Sequence, residues 1–128
     1  MIPAWVRPFF VVAALYDVVL GLVFTFGSCR IFPRFGIALP NHDAYVQLPG
    51  LLIAIFGLGF WMVSRDPVRE RSIIVLGVLL KLAFSGVVLY HRVFGSIPDM
   101  WVTFALADVL FMLGFLAALR AVPATKTA

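Results

Sequence analysis

Four long apolar stretches constrain the fold of this chain more than any other feature of its sequence. They cover residues 8–27, 44–64, 72–90 and 100–119, and each contains at most one charged side chain. An α-helix needs about 20 apolar residues to cross the roughly 30 Å hydrocarbon core of a bilayer. The sequence therefore predicts an all-α integral membrane protein, a four-helix bundle that forms a single transmembrane domain over residues 1–128 with an outer loop at 28–43.

The composition excludes most classes of soluble protein. Of the 128 residues, 63% are hydrophobic and 12% are charged, whereas soluble domains have about 45–50% and 25%. A soluble domain of this size has too little interior to bury so much apolar surface, which excludes an ordinary cytosolic enzyme. Cys29 is the only cysteine, so the chain is not a disulfide scaffold. The ten Lys and Arg residues form no run, so we expect a lipid bilayer and no nucleic acid as partner.

The connections between the stretches predict an antiparallel, up-down-up-down bundle. The link at 65–71 is short, and its Asp66 and Pro67 are typical of a helix N-cap and first helical position. We expect the second helix to begin near Ala44 and to kink at Pro49. The first stretch resumes after an internal charge and has no convincing cleavage site, which favours a retained span over a signal peptide.

The Lys and Arg residues near the ends of the stretches predict the orientation of the bundle. The N-terminus, second loop and C-terminus contribute six of them, and the first and third loops contribute three. Because cytoplasmic loops carry the excess of positive charge, both termini are predicted to be cytoplasmic. The six are Arg7, Arg65, Arg69, Arg71, Arg120 and Lys126, and the three are Arg30, Arg34 and Arg92.

Asp17, Lys81 and Asp108 are the charged residues inside the four stretches. Each costs about 2.5–3.5 kcal/mol at the centre of a membrane on insertion scales. Counted from the predicted cytoplasmic ends, they lie at similar depths of about 14, 15 and 18 Å. Small residues, which mark contact faces of membrane helices, lie four positions before and after Asp17 and Lys81. We therefore expect Lys81 to point into the bundle, toward Asp17, Asp108 or both.

This predicted cluster has three interpretations. In the first, it is a buried ion pair that fixes the register of the helices and has no chemical role. In the second, it binds a ligand or handles protons, as ionisable groups inside membranes often do. The third interpretation is that Lys81 snorkels to the membrane surface or contacts another subunit. Two carboxylates and one ammonium leave a formal charge of −1, so we expect one aspartate to hold a proton or the two to share one.

His42, Asp43 and His91 form a second candidate site, on the predicted outer face. Two imidazoles and a carboxylate that meet can bind a metal or pass protons, and solvated loop residues explain the same pattern equally well. No metal-ligand spacing is present, so no metal is predicted. The sequence has no nucleophile–base pair, metalloprotease helix or haem motif, so no catalytic residue or cofactor is predicted and an enzymatic role is not favoured.

In two features the sequence resembles the DoxX-like family of small four-helix bacterial membrane proteins. They are the tight second loop at Arg65-Asp66-Pro67 and the polar residues set among glycines, as in Asp17 with Gly21 and Gly77 with Lys81. The resemblance covers the four stretches and implies a protein of the bacterial inner membrane. It also implies an association with oxidoreductase complexes that feed electrons to quinone, while animal relatives look like assembly chaperones. It implies no catalytic residue in this chain.

Two functions of different classes fit these observations. The first is a binding or accessory protein, which helps to assemble or tune a larger membrane complex with another membrane protein, or which holds an apolar ligand between its helices. The alternative is a small proton-coupled transporter or channel that uses the three charged residues. Four helices are few for alternating access, so this alternative requires a homo-oligomer. A membrane enzyme acting on quinone or lipid would need chemical groups that we do not find.

Overall fold

A computed structural model describes residues 1–125 of the chain. All four of the α-helices in this part are long and apolar enough to cross a membrane, which confirms the prediction of an all-α membrane protein. The predicted stretches each lie within one helix. Lys126, which was counted in predicting the orientation of the bundle, lies outside the described residues. The helices are α1 (Val6–Ile31), α2 (Ala44–Arg65), α3 (Arg71–Phe94) and α4 (Asp99–Ala121), and a 3₁₀ helix, Phe32–Phe35, follows α1.

The loop between α2 and α3 differs from its sequence interpretation. The third helix begins at Arg71, so Asp66 and Pro67 belong to a turn and not to the start of the helix. The Asp66 carboxylate accepts a hydrogen bond from the backbone N–H of Arg69 at 3.2 Å, and its carbonyl accepts one from the N–H of Glu70 at 3.1 Å. The predicted capping group is therefore used within the turn itself.

The first loop is also shorter than predicted, because α1 continues to Ile31 and leads directly into the 3₁₀ helix. The ring of Phe32 is buried against Phe24 and Trp101, with ring centroids 6.1 and 5.8 Å away. This packing holds the extension of α1 against the bundle. Gly36 then ends the 3₁₀ helix in the left-handed conformation, at a φ of 68°, which glycine adopts without steric cost.

Glycines bring the backbones of α1 and α2 close together. A Cβ atom placed on Gly57 would lie 2.6 Å from Cγ2 of Val18, and one on Gly50 would lie 2.9 Å from the carbonyl oxygen of Gly21. Both distances are shorter than carbon atoms tolerate, so only glycine fits at these contacts. The α1 and α2 helices therefore form one closely packed pair and α3 and α4 form another, as small residues allow in membranes.

Phenylalanine rings fill the space between the two pairs at one end of the bundle. Phe10 of α1, Phe60 of α2 and Phe115 of α4 are fully buried. The Phe10 and Phe115 rings stack at 5.0 Å with an interplanar angle of 17°, and Phe60 lies 4.9 Å from Phe115. Ile74 completes this core from α3. The rings join the helix pairs by dispersion contacts, which are short-range and depend on this close fit.

Two arginines tie the helices together at the same end. Arg7 of α1 donates hydrogen bonds to the carbonyl oxygens of Ser64 and Arg65, at 3.3 and 2.5 Å. Arg71 of α3 donates to the carbonyls of Leu119 and Val122, at 3.0 and 3.2 Å. Each arginine thus satisfies carbonyls at the C-terminal end of a neighbouring helix, where positive charge is favoured.

The outer surface of the bundle is apolar. Large hydrophobic side chains are exposed on every helix, for example Phe26 at 76% and Leu110 at 70%. A soluble monomer does not expose apolar surface on this scale. The pattern is the one expected where lipid chains cover the helices.

Replacing Gly57 by alanine should destabilise the fold, because the added Cβ meets Val18 and the α1–α2 pair must separate. The expected cost is about 1–3 kcal/mol, as for other overpacked contacts. The measurement is the thermal unfolding temperature of the protein in mild detergent. Gly86→Ala is the matched control, since nothing lies within 4 Å of a Cβ at that position. Equal unfolding temperatures for the two variants would contradict the close contact.

Candidate functional site

Three side chains from three helices meet in the middle of the bundle. The ammonium nitrogen of Lys81, on α3, lies 2.7 Å from Oδ1 of Asp17 on α1 and 3.0 Å from Oδ1 of Asp108 on α4. The exposed fractions are 1% for Asp17, 2% for Lys81 and 7% for Asp108. The structure thus brings the predicted residues together and pairs Lys81 with both aspartates. We call these three residues the charge cluster.

Small neighbours let the charged helices approach one another at this level. Ala13 and Gly21, one turn before and after Asp17, are both buried, as are Gly77 and Ser85 around Lys81. The Ser85 hydroxyl donates to the carbonyl oxygen of Lys81 at 2.6 Å, so this polar side chain is satisfied within its own helix. The predicted small-residue faces therefore lie at the helix contacts that enclose the cluster.

Aromatic rings surround the ammonium group where the carboxylates do not. The nitrogen of Lys81 lies 5.3 Å from the centroid of the Tyr16 ring, 5.4 Å from that of Phe111 and 5.9 Å from that of Phe60. Ring faces attract a cation at such distances, most strongly when water is excluded. The three rings therefore add favourable contacts to the buried end of the Lys81 side chain.

Two buried polar atoms beside the cluster make no hydrogen bond within the described residues. They are Oδ2 of Asp17 and the hydroxyl oxygen of Tyr16. Lys81 uses two of its N–H donors on the aspartates, and a lysine has three. Buried polar groups without partners are costly and few in native proteins, so these two atoms require an explanation.

The cluster forms one end of a partly open cavity of about 330 Å³ between the helices. Volumes of this size are typical of pockets for small ligands. The cavity extends away from the Phe10 core, between all four helices, toward the side of the bundle that holds the 3₁₀ helix. Besides the charge cluster, its lining consists of Leu20, Phe24, Phe32, Tyr45, Val46, Pro49, Gly50, Ile53, Leu80, Phe84, Trp101 and Phe104.

This cavity was not predicted from the sequence, although the spacing of its lining residues contains a signal. On α1 the lining residues Leu20 and Phe24 follow Asp17 at three and seven positions. On α4, Phe104 and Trp101 precede Asp108 by four and seven positions. Such spacings place side chains on one face of a helix. A continuous face of aromatic residues leading away from a buried charge was the available indication.

The second candidate site is not assembled. His42 lies before α2, where its Nδ1 accepts a hydrogen bond from the N–H of Ala44 at 3.1 Å. Asp43 is the N-cap of α2, whereas His91 lies exposed in the last turn of α3 beside Tyr90. Within residues 1–125 no hydrogen bond or ion pair joins these three side chains, and no group of His, Cys, Asp and Glu is arranged to hold a metal ion. The local role of His42 at the helix start accounts for its position.

Comparisons of the chain with models of protein families, with curated proteins and with solved structures gave no match. The DoxX-like resemblance stays a prediction. The chemistry of the site follows from its own geometry: a charged end and apolar, aromatic walls accommodate a molecule with one polar end and an apolar body.

Replacing Lys81 by methionine should strongly destabilise the protein, because it leaves two buried carboxylates without their cation. Breaking a buried ion pair in this way costs about 3–5 kcal/mol. The measurement is the yield of monodisperse protein and its unfolding temperature in detergent.

The matched control combines Lys81→Met with Asp17→Asn and Asp108→Asn, which removes all three charges together. We expect this triple variant to recover most of the stability, since no unpaired charge remains buried. If the single and triple variants are equally unstable, the loss does not come from unpaired carboxylates.

Proposed function

We propose that this protein is a small integral membrane binding protein that holds an amphipathic, lipid-like ligand in the cavity between its helices. The observation that carries the proposal is the junction of the cavity with the charge cluster. Asp17, Lys81 and Asp108 supply hydrogen-bonding groups at one end, and aromatic and aliphatic side chains supply the remaining walls. Pockets that bind small molecules combine a few polar groups with an apolar lining in this way.

The proposal includes an accessory role in a larger membrane complex. The four helices account for most of residues 1–125, so the described part of the chain presents mainly helix surfaces to a partner. Small residues and exposed apolar side chains on these surfaces suit contacts with another membrane protein. The resemblance to the DoxX-like family supports the same role, in the bacterial inner membrane.

We also propose that the helices alternate in direction across the bilayer and that both termini are cytoplasmic. Arg7 lies against the C-terminal end of α2, and Arg71 lies against the C-terminal end of α4. These contacts support an arrangement in which the arginines at the starts of α1 and α3 and at the ends of α2 and α4 lie on the same side of the membrane. The excess of arginine at that end favours the cytoplasm.

A proton-coupled transporter or channel remains the alternative, and it would use the same three charged residues. The cavity favours the binding function, because most of its lining consists of apolar side chains that offer no path for protons. We therefore favour ligand binding over proton transport as the function.

Filling the cavity should remove the bound ligand. Ile53 lines the cavity, and Ile53→Trp places a large side chain in it. Native mass spectrometry of the protein extracted in mild detergent should show a lipid-like adduct on the wild type and lose it in this variant. Ile55→Trp is the matched control, because Ile55 is 61% exposed on the outer surface. An adduct that both variants keep, or a wild type with no adduct and no protein partner, would contradict the proposal.

Labelling of the single cysteine tests the orientation. Cys29 is exposed and lies near the end of α1, so a membrane-impermeant maleimide should label it in intact bacterial spheroplasts. In the control, Cys29→Ser is combined with Arg69→Cys in the opposite loop, and this protein should react only after permeabilisation. The reverse pattern of labelling would place both termini outside.

A further inference from the structure

Neighbouring helices pack along four seams, and three of them are closed where they border the cavity. Between α1 and α2, a Cβ atom on Gly50 would lie 2.5 Å from Oγ1 of Thr25. Between α1 and α4, the ring centroid of Phe24 lies 5.5 Å from that of Trp101. Between α3 and α4, the ring of Phe84 lies 6.4 Å from that of Trp101. Aromatic rings at these distances are in contact, so the α2–α3 seam is the one left for the opening.

The α2–α3 seam is closed on the Phe10 side of the charge cluster. A Cβ atom on Gly59 of α2 would lie 3.2 Å from Cγ2 of Ile73 of α3, and one on Gly77 of α3 would lie 2.6 Å from the Phe60 ring of α2. On the cavity side of the cluster, no hydrogen bond, ion pair or ring contact joins α2 to α3 within the part of the chain that the structure describes. The contact between these helices therefore ends near the cluster.

The exposure of the facing residues shows the same change along the seam. Steps of seven residues keep side chains on nearly the same face of a helix. Seven and fourteen positions before the glycine of the Gly59 contact are Leu52 and Tyr45, which are 49% and 67% exposed. Seven and fourteen positions after the isoleucine of that contact are Leu80, which is half-buried in the cavity lining, and Val87, which is 59% exposed. The two helices thus leave a gap beside the cavity.

Apolar side chains border this gap. Pro49 is exposed and lines the cavity between the positions of Tyr45 and Leu52, and the Tyr45 hydroxyl is the one polar side-chain group among the border residues named. At the 3₁₀-helix end of the cavity, the buried ring of Phe32 contacts that of Trp101 at 5.8 Å and covers this end. An opening with apolar borders in hydrocarbon disfavours charged molecules. The gap therefore connects the cavity with lipid.

We propose that the gap between α2 and α3, bordered by Tyr45, Leu52, Leu80 and Val87, is a lateral entrance through which a neutral single-chain amphiphile passes from the bilayer into the cavity. This inference rests on the proposed binding function and adds the source of the ligand and its route. The cavity of about 330 Å³ is near the lower end of the range for small-molecule pockets, so a single chain suits it better than a two-chain phospholipid.

A chemical bridge across the lateral entrance tests the route. Tyr45→Cys and Val87→Cys, combined with Cys29→Ser, place one thiol on each border, because α2 and α3 run in opposite directions in the arrangement proposed above. Both original side chains are exposed, so the core is left unchanged. Bis-maleimides of increasing length join the two thiols, and the mass of the intact protein reports the bridge. The matched control is the same protein with each thiol capped separately by N-ethylmaleimide.

Quenching of Trp101, which lines the cavity, reports arrival of the ligand. Trp5→Phe and Trp61→Phe leave it as the fluorescent tryptophan, and the probe is a monoacylglycerol with a dibrominated chain, added to phosphatidylcholine nanodiscs. Quenching should be about tenfold slower in the bridged protein than in the capped one, because the remaining routes require a closed seam to open. Ile55→Trp with Trp101→Phe reports probe in the surrounding lipid, since Ile55 is 61% exposed, and the bridge should not change its quenching.

The outcomes separate this inference from the proposed function. Slower quenching of Trp101 in the bridged protein alone supports both. Equal rates in bridged and capped protein overturn the lateral entrance and leave the binding function in place, as does failure of even the longest reagent to form a bridge. Absence of Trp101 quenching in the capped protein overturns both. Should the Tyr45→Cys protein not fold, Leu52→Cys replaces it as the α2 position, and the same outcomes apply.

Discussion

The shared ammonium group of Lys81 is the interaction on which the interior of this protein depends. It reaches carboxylates on two other helices, at 2.7 and 3.0 Å, and each of the three groups would be costly alone in hydrocarbon. One carboxylate, Asp108, belongs to the same helix pair as Lys81, and the other, Asp17, belongs to the opposite pair. The ion pairs therefore connect the two halves of the bundle.

The charge cluster also divides the interior into a filled half and an open half. On one side, the buried rings of Phe10, Phe60 and Phe115 pack against one another and fill the space between the pairs. On the other side, the rings of Phe24 and Trp101 line a cavity of about 330 Å³. Aromatic side chains are used on both sides, so residue type does not explain the difference. The geometry of the ring contacts differs, since Phe10 and Phe115 lie nearly parallel at 17°, whereas Phe24 meets Phe104 edge to face at 90°.

The amino-acid sequence predicts the helices well because hydrocarbon thickness sets their length, and it predicts the meeting of Asp17, Lys81 and Asp108 because depth and small neighbours restrict a buried charge. It does not predict the cavity itself, since the space between helices depends on tertiary packing, and the spacing of aromatic residues on α1 and α4 indicates only which helix faces line that space. The prediction of where α3 begins was wrong for a local reason. The Asp66 carboxylate can accept a hydrogen bond either within a turn or at the start of a helix, and in the structure it does so within the turn. Whether His42 meets His91 depends likewise on long-range geometry.

The order of the helices has a consequence for biogenesis. Asp17 lies in the first helix and its cation in the third, so the ribosome completes α1 and α2 before Lys81 exists. The glycine contacts between α1 and α2 allow these two helices to associate before α3 is made. At that stage the carboxyl group of Asp17 has no cation beside it. Insertion of α3 then supplies Lys81, which pairs with Asp17. The charge cluster is therefore complete only after α1, α3 and α4 have all been made.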